Sequence, residues 1–362
     1  MTPTRPQRGR GAFIALAVAL AAGGTLIALG PGSGSGADPP PAPPGRVTAA
    51  TAWPSAQKAD IDPAMPDGPL FTPALFLDAT TAIGTAPTPD GAQTRLLLRT
   101  ASGPARELRR ASLDGNPQFD AFTASGDDIV WAESGDQRPG VRLWAATRSG
   151  GPARLLTADT GNAVFSGNQY DLVLADGRAH WAAAPRDGVT EIRSVPLTGG
   201  RVTVRAEPGE WSQTAWPWLA DETENRLRNT LTKRDVPIAT TGPEQVTCSP
   251  AWCRVMVLNG EGLARIDLMR PDGSDRRRVA GGNAQAAVND VAALDRFEIL
   301  AEPGPDSDLT GAAALLVHDI ATSRTVLVDP AADGAFTAGG MLWWSTGDQD
   351  SITWHTIDLR TA

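Results

Sequence analysis

The side chains able to do acid–base, nucleophilic or metal chemistry are few in kind: three histidines, one tyrosine, two cysteines and 41 acidic residues. A catalytic group needs a proton affinity tuned near working pH or an activating neighbour. None of the familiar spacings that supply one is present. There is no Gly-x-Ser-x-Gly elbow, no Gly-Lys-Ser/Thr phosphate loop, no Gly-x-Gly-x-x-Gly and no His-Glu-x-x-His. His180 precedes Trp181, His318 precedes Asp319 and His355 follows Trp354. Each sits in a strand-like run, where a packed or edge histidine is ordinary. A shared metal site would need all three to converge from separate parts of the chain. Asp127, Asp128, Asp176 and Asp272 fall in turns, where Asp is selected for backbone geometry and stays solvated. The expectation is a chain without catalytic residues and without a cofactor.

Two acidic loops, one cysteine pair and one aromatic cluster come closest to sites. Asp306-Ser307-Asp308-Leu309-Thr310-Gly311 follows the first half of a calcium loop, with Asp306, Asp308 and Thr310 as the oxygen ligands. Its twelfth position is Val317, where a bidentate Glu belongs; the alternative is a soluble connecting loop. Residues 345–354, STGDQDSITW, resemble the aspartate-box turn of sialidase propellers. Thr-Trp comes one residue late, and Asp350 stands where Gly belongs. Tyr170 is the only residue that could supply the tyrosine nucleophile of that chemistry, and the reading is set aside. Cys248 and Cys253 flank a Ser-Pro turn in VTCSPAWC. Without neighbouring histidines they cannot close a zinc site, and in an oxidising compartment a disulfide is expected. Trp211, Trp216 and Trp218 crowd EWSQTAWPWLAD. Core packing is the expectation for them and an interface anchor the alternative.

The elements that must position these residues form a repeat. One motif is a short apolar strand entered from a polar turn: DDIVWAES, GRAHWAAA, WCRVMVLN, DRFEILAE and GMLWWSTG. The other is a hairpin about a Gly-rich or polar turn, such as EIRSVPLTGGRVTVRA and ARIDLMRPDGSDRRRVA. The two alternate with a period of about 42 residues, that of a four-stranded propeller blade. Asp176-Gly177, Gly199-Gly200 and Asp272-Gly273 are tight-hairpin dipeptides. No long amphipathic helix follows residue 70, which excludes βα units. The fold class is all-β, a β-propeller with units near 75–111, 119–157, 163–206, 211–240, 244–280, 286–329 and 335–362. Seven blades are expected, six if the short fourth unit is an insertion. The last unit has only three strands, and residues 71–78 (FTPALFLD) could complete it.

Three domains are expected: 1–30 a signal peptide or anchor, 31–69 a Pro/Gly/Ser-rich linker, and 70–362 the propeller. Arg5, Arg8 and Arg10 precede an uncharged stretch from Ala12 to Leu29, which reads as a retained single-pass anchor, with cleavage and release as the alternative. Positive charge stays inside, so the remainder is expected outside the cytoplasm. Net charge of −9 excludes a nucleic-acid footprint. Only Lys58 and Lys233 among the 32 basic residues are lysine, a mark of GC-rich coding.

The hairpin RPDGSDRRRVAGG resembles the outer hairpin of TolB-type propeller repeats, and residues 70–362 as a whole resemble actinobacterial exported TolB-like proteins. TolB has an α/β domain ahead of its propeller; here a Pro-rich linker holds that place. The resemblance implies a non-enzymatic extracytoplasmic scaffold, monomeric, binding an envelope protein. The alternatives are a hydrolase or lyase, with several ionisable residues of shifted pKa at the channel mouth, and a metal- or carbohydrate-binding module.

Overall fold

The computed structural model describes residues 46–362 apart from 137–139, 164, 222–224, 241, 243, 261, 349 and 350. The anchor segment 12–29 lies outside the described residues. Among the described residues no helix is long and apolar enough to cross a membrane.

Seven antiparallel sheets of four strands follow one another along the chain, the sixth carrying a fifth strand. The first comprises Thr72–Asp78, Thr81–Pro87, Gln93–Thr100 and Arg106–Ser112. The innermost strands of the next six are Gln118–Ser125, Leu172–Ala175, Ser212–Gln213, Glu244–Cys248, Gln285–Ala286 and Ala335–Ala338. The chain is a seven-bladed β-propeller, and the short fourth unit is a blade of its own, Ser212–Gln213 to Asp235–Pro237.

The two sequence motifs map onto distinct blade positions. The apolar runs become the second strands: Asp128–Ser134, Arg178–Arg186, Cys253–Asn259, Phe297–Pro303 and Met341–Thr346. Their buried faces fill the space between blades, and Trp131 and Trp181 are fully buried. Burying such a side chain stabilises the fold by about 2–3 kcal/mol. The hairpins become the third and fourth strands. The fourth strands are edges, and runs such as RELRRAS (Arg106–Ser112) put arginines there, which discourages edge-to-edge pairing.

Ring closure differs from the sequence expectation. Lys58–Ile61 completes the seventh blade as its outermost strand, pairing antiparallel with Thr353–Asp358, Lys58 opposite Ile357 and Ile61 opposite Trp354. Residues 71–78 instead supply the innermost strand of blade one. A second N-terminal strand, Val47–Thr48, pairs parallel with Arg324–Ala332 of blade six. Between them, Trp53 is buried with its ring edge-on to Phe297 at 5.6 Å. The stretch 46–69, expected as spacer, is thus part of the propeller from residue 46 onward. Isolated anchors, Trp53 and Ile61, hold it, and neither makes a periodic pattern.

Cys248 ends the first strand of blade five and Cys253 begins the second; the two stand opposite each other and are joined by a disulfide.

Candidate functional site in the channel

The innermost strands of blades one, two and seven, the segment leading into blade three and the loop after the innermost strand of blade six surround a cavity of about 430 Å³. Phe165, Gly167, Asn168 and Gln169 line it from blade three. Gln169 reaches from blade three to blade seven, where its Oε1 accepts a hydrogen bond from the Gly339 amide at 2.9 Å. Gln169 also borders a second, adjoining cavity of about 400 Å³.

Blade two contributes Phe119, Asp120 and Phe122 to the larger cavity. Strict alternation would turn neighbouring side chains to opposite faces. A bulge at Ala121, whose φ of 41° is left-handed, interrupts the pairing between Asp120 and Phe122. Such an extra residue re-aims its neighbours, and strain of this kind collects at functional sites. Asp120 Oδ2 accepts from Ser134 Oγ at 3.1 Å, and burial pushes its pKa up.

Blade six contributes Asp290 on a loop fixed from behind. The Arg254 guanidinium, buried, donates to the carbonyls of Val288 at 3.1 Å, Asn289 at 3.4 Å and Asp290, and pairs with Glu298. Glu298, fully buried, accepts from the Ala292 amide at 2.8 Å through its other oxygen. This ion pair holds the loop from 288 to 292. The Asp290 carboxyl is only 9% exposed, and Oδ2 accepts from Thr337 Oγ1 at 3.1 Å. Oδ1 is buried with no hydrogen-bond partner among the described residues. Burial raises its pKa to about 6. The Thr337 hydrogen bond, the nearby Gln169 amide and the Arg254 charge offset only part of that effect, and Asp171 adds to it.

Blade three contributes Tyr170 and Asp171. Asp171 Oδ2 accepts from the Ser166 amide at 2.6 Å and the Asn168 amide at 3.1 Å, yet burial still raises its pKa. Burial and then the Asp290 and Asp295 charges hold the Tyr170 hydroxyl protonated. The result is a cavity bordered by the Asp120 and Asp290 carboxyl groups, both with pKa values raised by burial, amides from Asn168, Gln169 and Asn289, and phenyl rings from Phe119, Phe122, Phe165 and Phe336.

The residues singled out in the sequence lie elsewhere, Tyr170 excepted. His180, His318 and His355 are in blades three, six and seven and do not converge. His180 stacks on Trp216 at 4.0 Å, His318 bonds Thr325 and His355 bonds Asp60. Burial lowers the pKa of His180 and of His318. Trp211 is buried, with the Arg226 and Arg228 guanidiniums 4.6 and 4.7 Å from its ring centre; Trp216 and Trp218 are half-buried. Asp306, Asp308 and Thr310 fall in and beside a single helical turn, Ser307–Thr310, where Thr310 Oγ1 donates to the Asp306 carbonyl at 3.1 Å. That turn is not the extended loop of alternating ligands. Among the described residues no group of three or more His, Cys, Asp or Glu is arranged to hold a metal ion.

Asp120, Asp171 and Asp290 were not singled out in the sequence. A signal was present: they precede the strand centres Trp131, Trp181 and Ile299 by 11, 10 and 9 residues. An aspartate thus falls on or near the innermost strand in units two, three and six, within the strand at Asp120, just before it at Asp171 and after it at Asp290.

No family model matches this chain, and no curated protein does. Solved structures do. A prolyl endopeptidase aligns at 11% identity with a TM-score of 0.50, over 85% of this chain and 49% of its own. The chain therefore spans about half the length of that enzyme. An oligogalacturonate lyase in complex with manganese aligns at 14% identity and a TM-score of 0.45, over 82% of this chain and 81% of its own. TolB from Acinetobacter baumannii aligns at 12% identity and a TM-score of 0.36, over 77% and 64%. At such identities the likeness establishes the propeller fold alone.

The expectation that the chain is not an enzyme does not stand. A prolyl endopeptidase shares the propeller. The premise also fails, because Asp120, Asp171 and Asp290 are not solvated turn aspartates.

Proposed function

We propose that this protein is an extracytoplasmic ligand-binding propeller whose site is the channel mouth bounded by Asp120, Gln169, Asp290 and Phe336. One observation carries the reading. A cavity of about 430 Å³ receives side chains from five blades, and one of them, Asp290, has a buried oxygen left unpartnered. Buried polar groups are normally paired, so an unpaired one on a residue that lines a cavity marks a place for a ligand or ordered water. Attachment through residues 12–29 and an envelope-protein partner belong to the same proposal; sequencing the mature N-terminus tests the attachment, and a start near Asp38 contradicts it.

The test is native mass spectrometry of residues 38–362 after exposure to envelope extract. A bound small molecule is expected, and Ala74→Trp, which fills the cavity, should abolish it. The same molecule on the Ala74→Trp protein would place the site elsewhere.

A second reading, a hydrolase, is favoured by the Asp290 pKa of about 6, which suits a general acid. It predicts turnover of a glycoside, ester, peptide or lactone that Asp290→Asn abolishes. Turnover unchanged in Asp290→Asn would refute it.

A further inference from the structure

We propose that the channel mouth takes an organic ammonium ion, its N–H groups on the Asp290 and Asp120 carboxylates and its apolar flank against Phe119, Phe122 and Phe336. This rests on the reading of that cavity as the functional site and names its ligand class.

The charge inventory decides the class. No Arg, Lys or His borders the larger cavity, and two carboxyl groups do. A third, Asp171, lies close enough for its charge to act on Asp290. None of the three takes part in an ion pair among the described residues. The cation whose charge acts on Asp290, Arg254, is already matched by Glu298 and spends its remaining N–H groups on backbone carbonyls. Tyr170 is neutral. The cavity therefore holds negative charge without a counter-charge in a partly desolvated place, where opposite charge is attracted far more strongly than in water. An anionic ligand is excluded on the same ground.

The walls refine the choice toward an organic cation. Phenyl rings attract cations through their faces. Phe336 stacks on Trp343 at 5.7 Å, which fixes its orientation, and is 48% exposed. A bare inorganic ion would leave the rings unused.

The groups acting on Asp290 are Thr337 from blade seven, Gln169 and Asp171 from blade three and Arg254 from blade five; its charge in turn acts on Tyr170. Cation binding needs ionised Asp290, so affinity should fall as pH drops through about 6.

Calorimetric titration of residues 38–362 with matched probes tests the inference: benzylammonium against benzyl alcohol, with spermidine as a second cation and glucose and cellobiose as neutral sugars. The cations should bind at about pH 7.5 at least about tenfold more tightly than benzyl alcohol. Affinity should drop at about pH 5, and Asp290→Asn or Asp120→Asn should weaken it by a similar factor while the melting transition persists. If neither cation binds, or benzyl alcohol binds equally well, the cation assignment is wrong. Sugar binding that Ala74→Trp blocks and Asp290→Asn spares would overturn the ligand class and leave the channel reading standing. Binding that Ala74→Trp leaves intact would overturn both.

Discussion

Replacing Asp290 by Asn should make the unliganded protein more stable at neutral pH. A carboxyl that binds its proton more tightly folded than unfolded stabilises the fold while protonated. That contribution is complete below the unfolded value of 3.8 and is lost as pH rises through about 6. The separation is about two units, so ionised Asp290 costs the fold up to about 3 kcal/mol. Asn keeps the shape and can still accept from Thr337, but has no charge to desolvate. For a domain of this size about 2 °C accompanies each kcal/mol, so the variant should melt up to about 5 °C higher at pH 7.5 or so. Many surface aspartates, among them Asp127 and Asp235, have lowered pKa values and shape the acid limb of both proteins alike. The informative quantity is therefore the difference in melting temperature, followed by calorimetry from about pH 4 to 8. It should grow from near zero to its maximum across pH 4 to 6. A difference that is flat with pH, or a variant less stable throughout, would refute the assignment of Asp290 as a buried carboxyl lacking a counter-charge.

Three further outcomes follow from the packing. Arg254→Ala strands Glu298 as a buried charge and should cost about 3–5 kcal/mol by denaturant unfolding, most of it recovered in Arg254→Met/Glu298→Leu; equal loss in single and double variants would contradict the pairing. Ile61→Ala, in the closing strand, should cost about 2–4 kcal/mol, and removing residues 46–61 should abolish cooperative unfolding; a truncated protein that melts like the full one would show that another strand closes the ring. Alkylation without reductant should label neither Cys248 nor Cys253, and the double Ser variant should lose less than about 3 kcal/mol because the closed loop is short; two labelled thiols would exclude the disulfide.

What the sequence disclosed depended on periodicity. Second strands such as DIVWAES announce themselves because both their faces are buried between blades, and the third and fourth strands because a Gly turn joins them. These repeat about every 42 residues and give the seven blades at nearly their observed limits. Two innermost strands, Ser212–Gln213 and Gln285–Ala286, have two residues each, too few for any pattern, and in Gln118–Ser125 the bulge at Ala121 breaks the alternation. The site is built on and beside these strands, so it was the least legible part. The closing strand was misplaced for a related reason. FTPALFLD is the stronger strand by composition, whereas KADI carries a single buried anchor, Ile61. Trp211 is buried, as core packing required, and the Arg226 and Arg228 guanidiniums lie over its ring, a cover contributed by the neighbouring strand that its own sequence context does not display.

The central claim, that the channel mouth is where this propeller meets its ligand, is tested most directly by hydrogen–deuterium exchange of residues 38–362 with and without the molecule it captures from envelope extract. The account predicts slowed exchange confined to the segments around 118–122, 165–171, 287–292 and 335–339, which come together only at the channel. Slowed exchange on the outer strands, with those four segments unchanged, would contradict it.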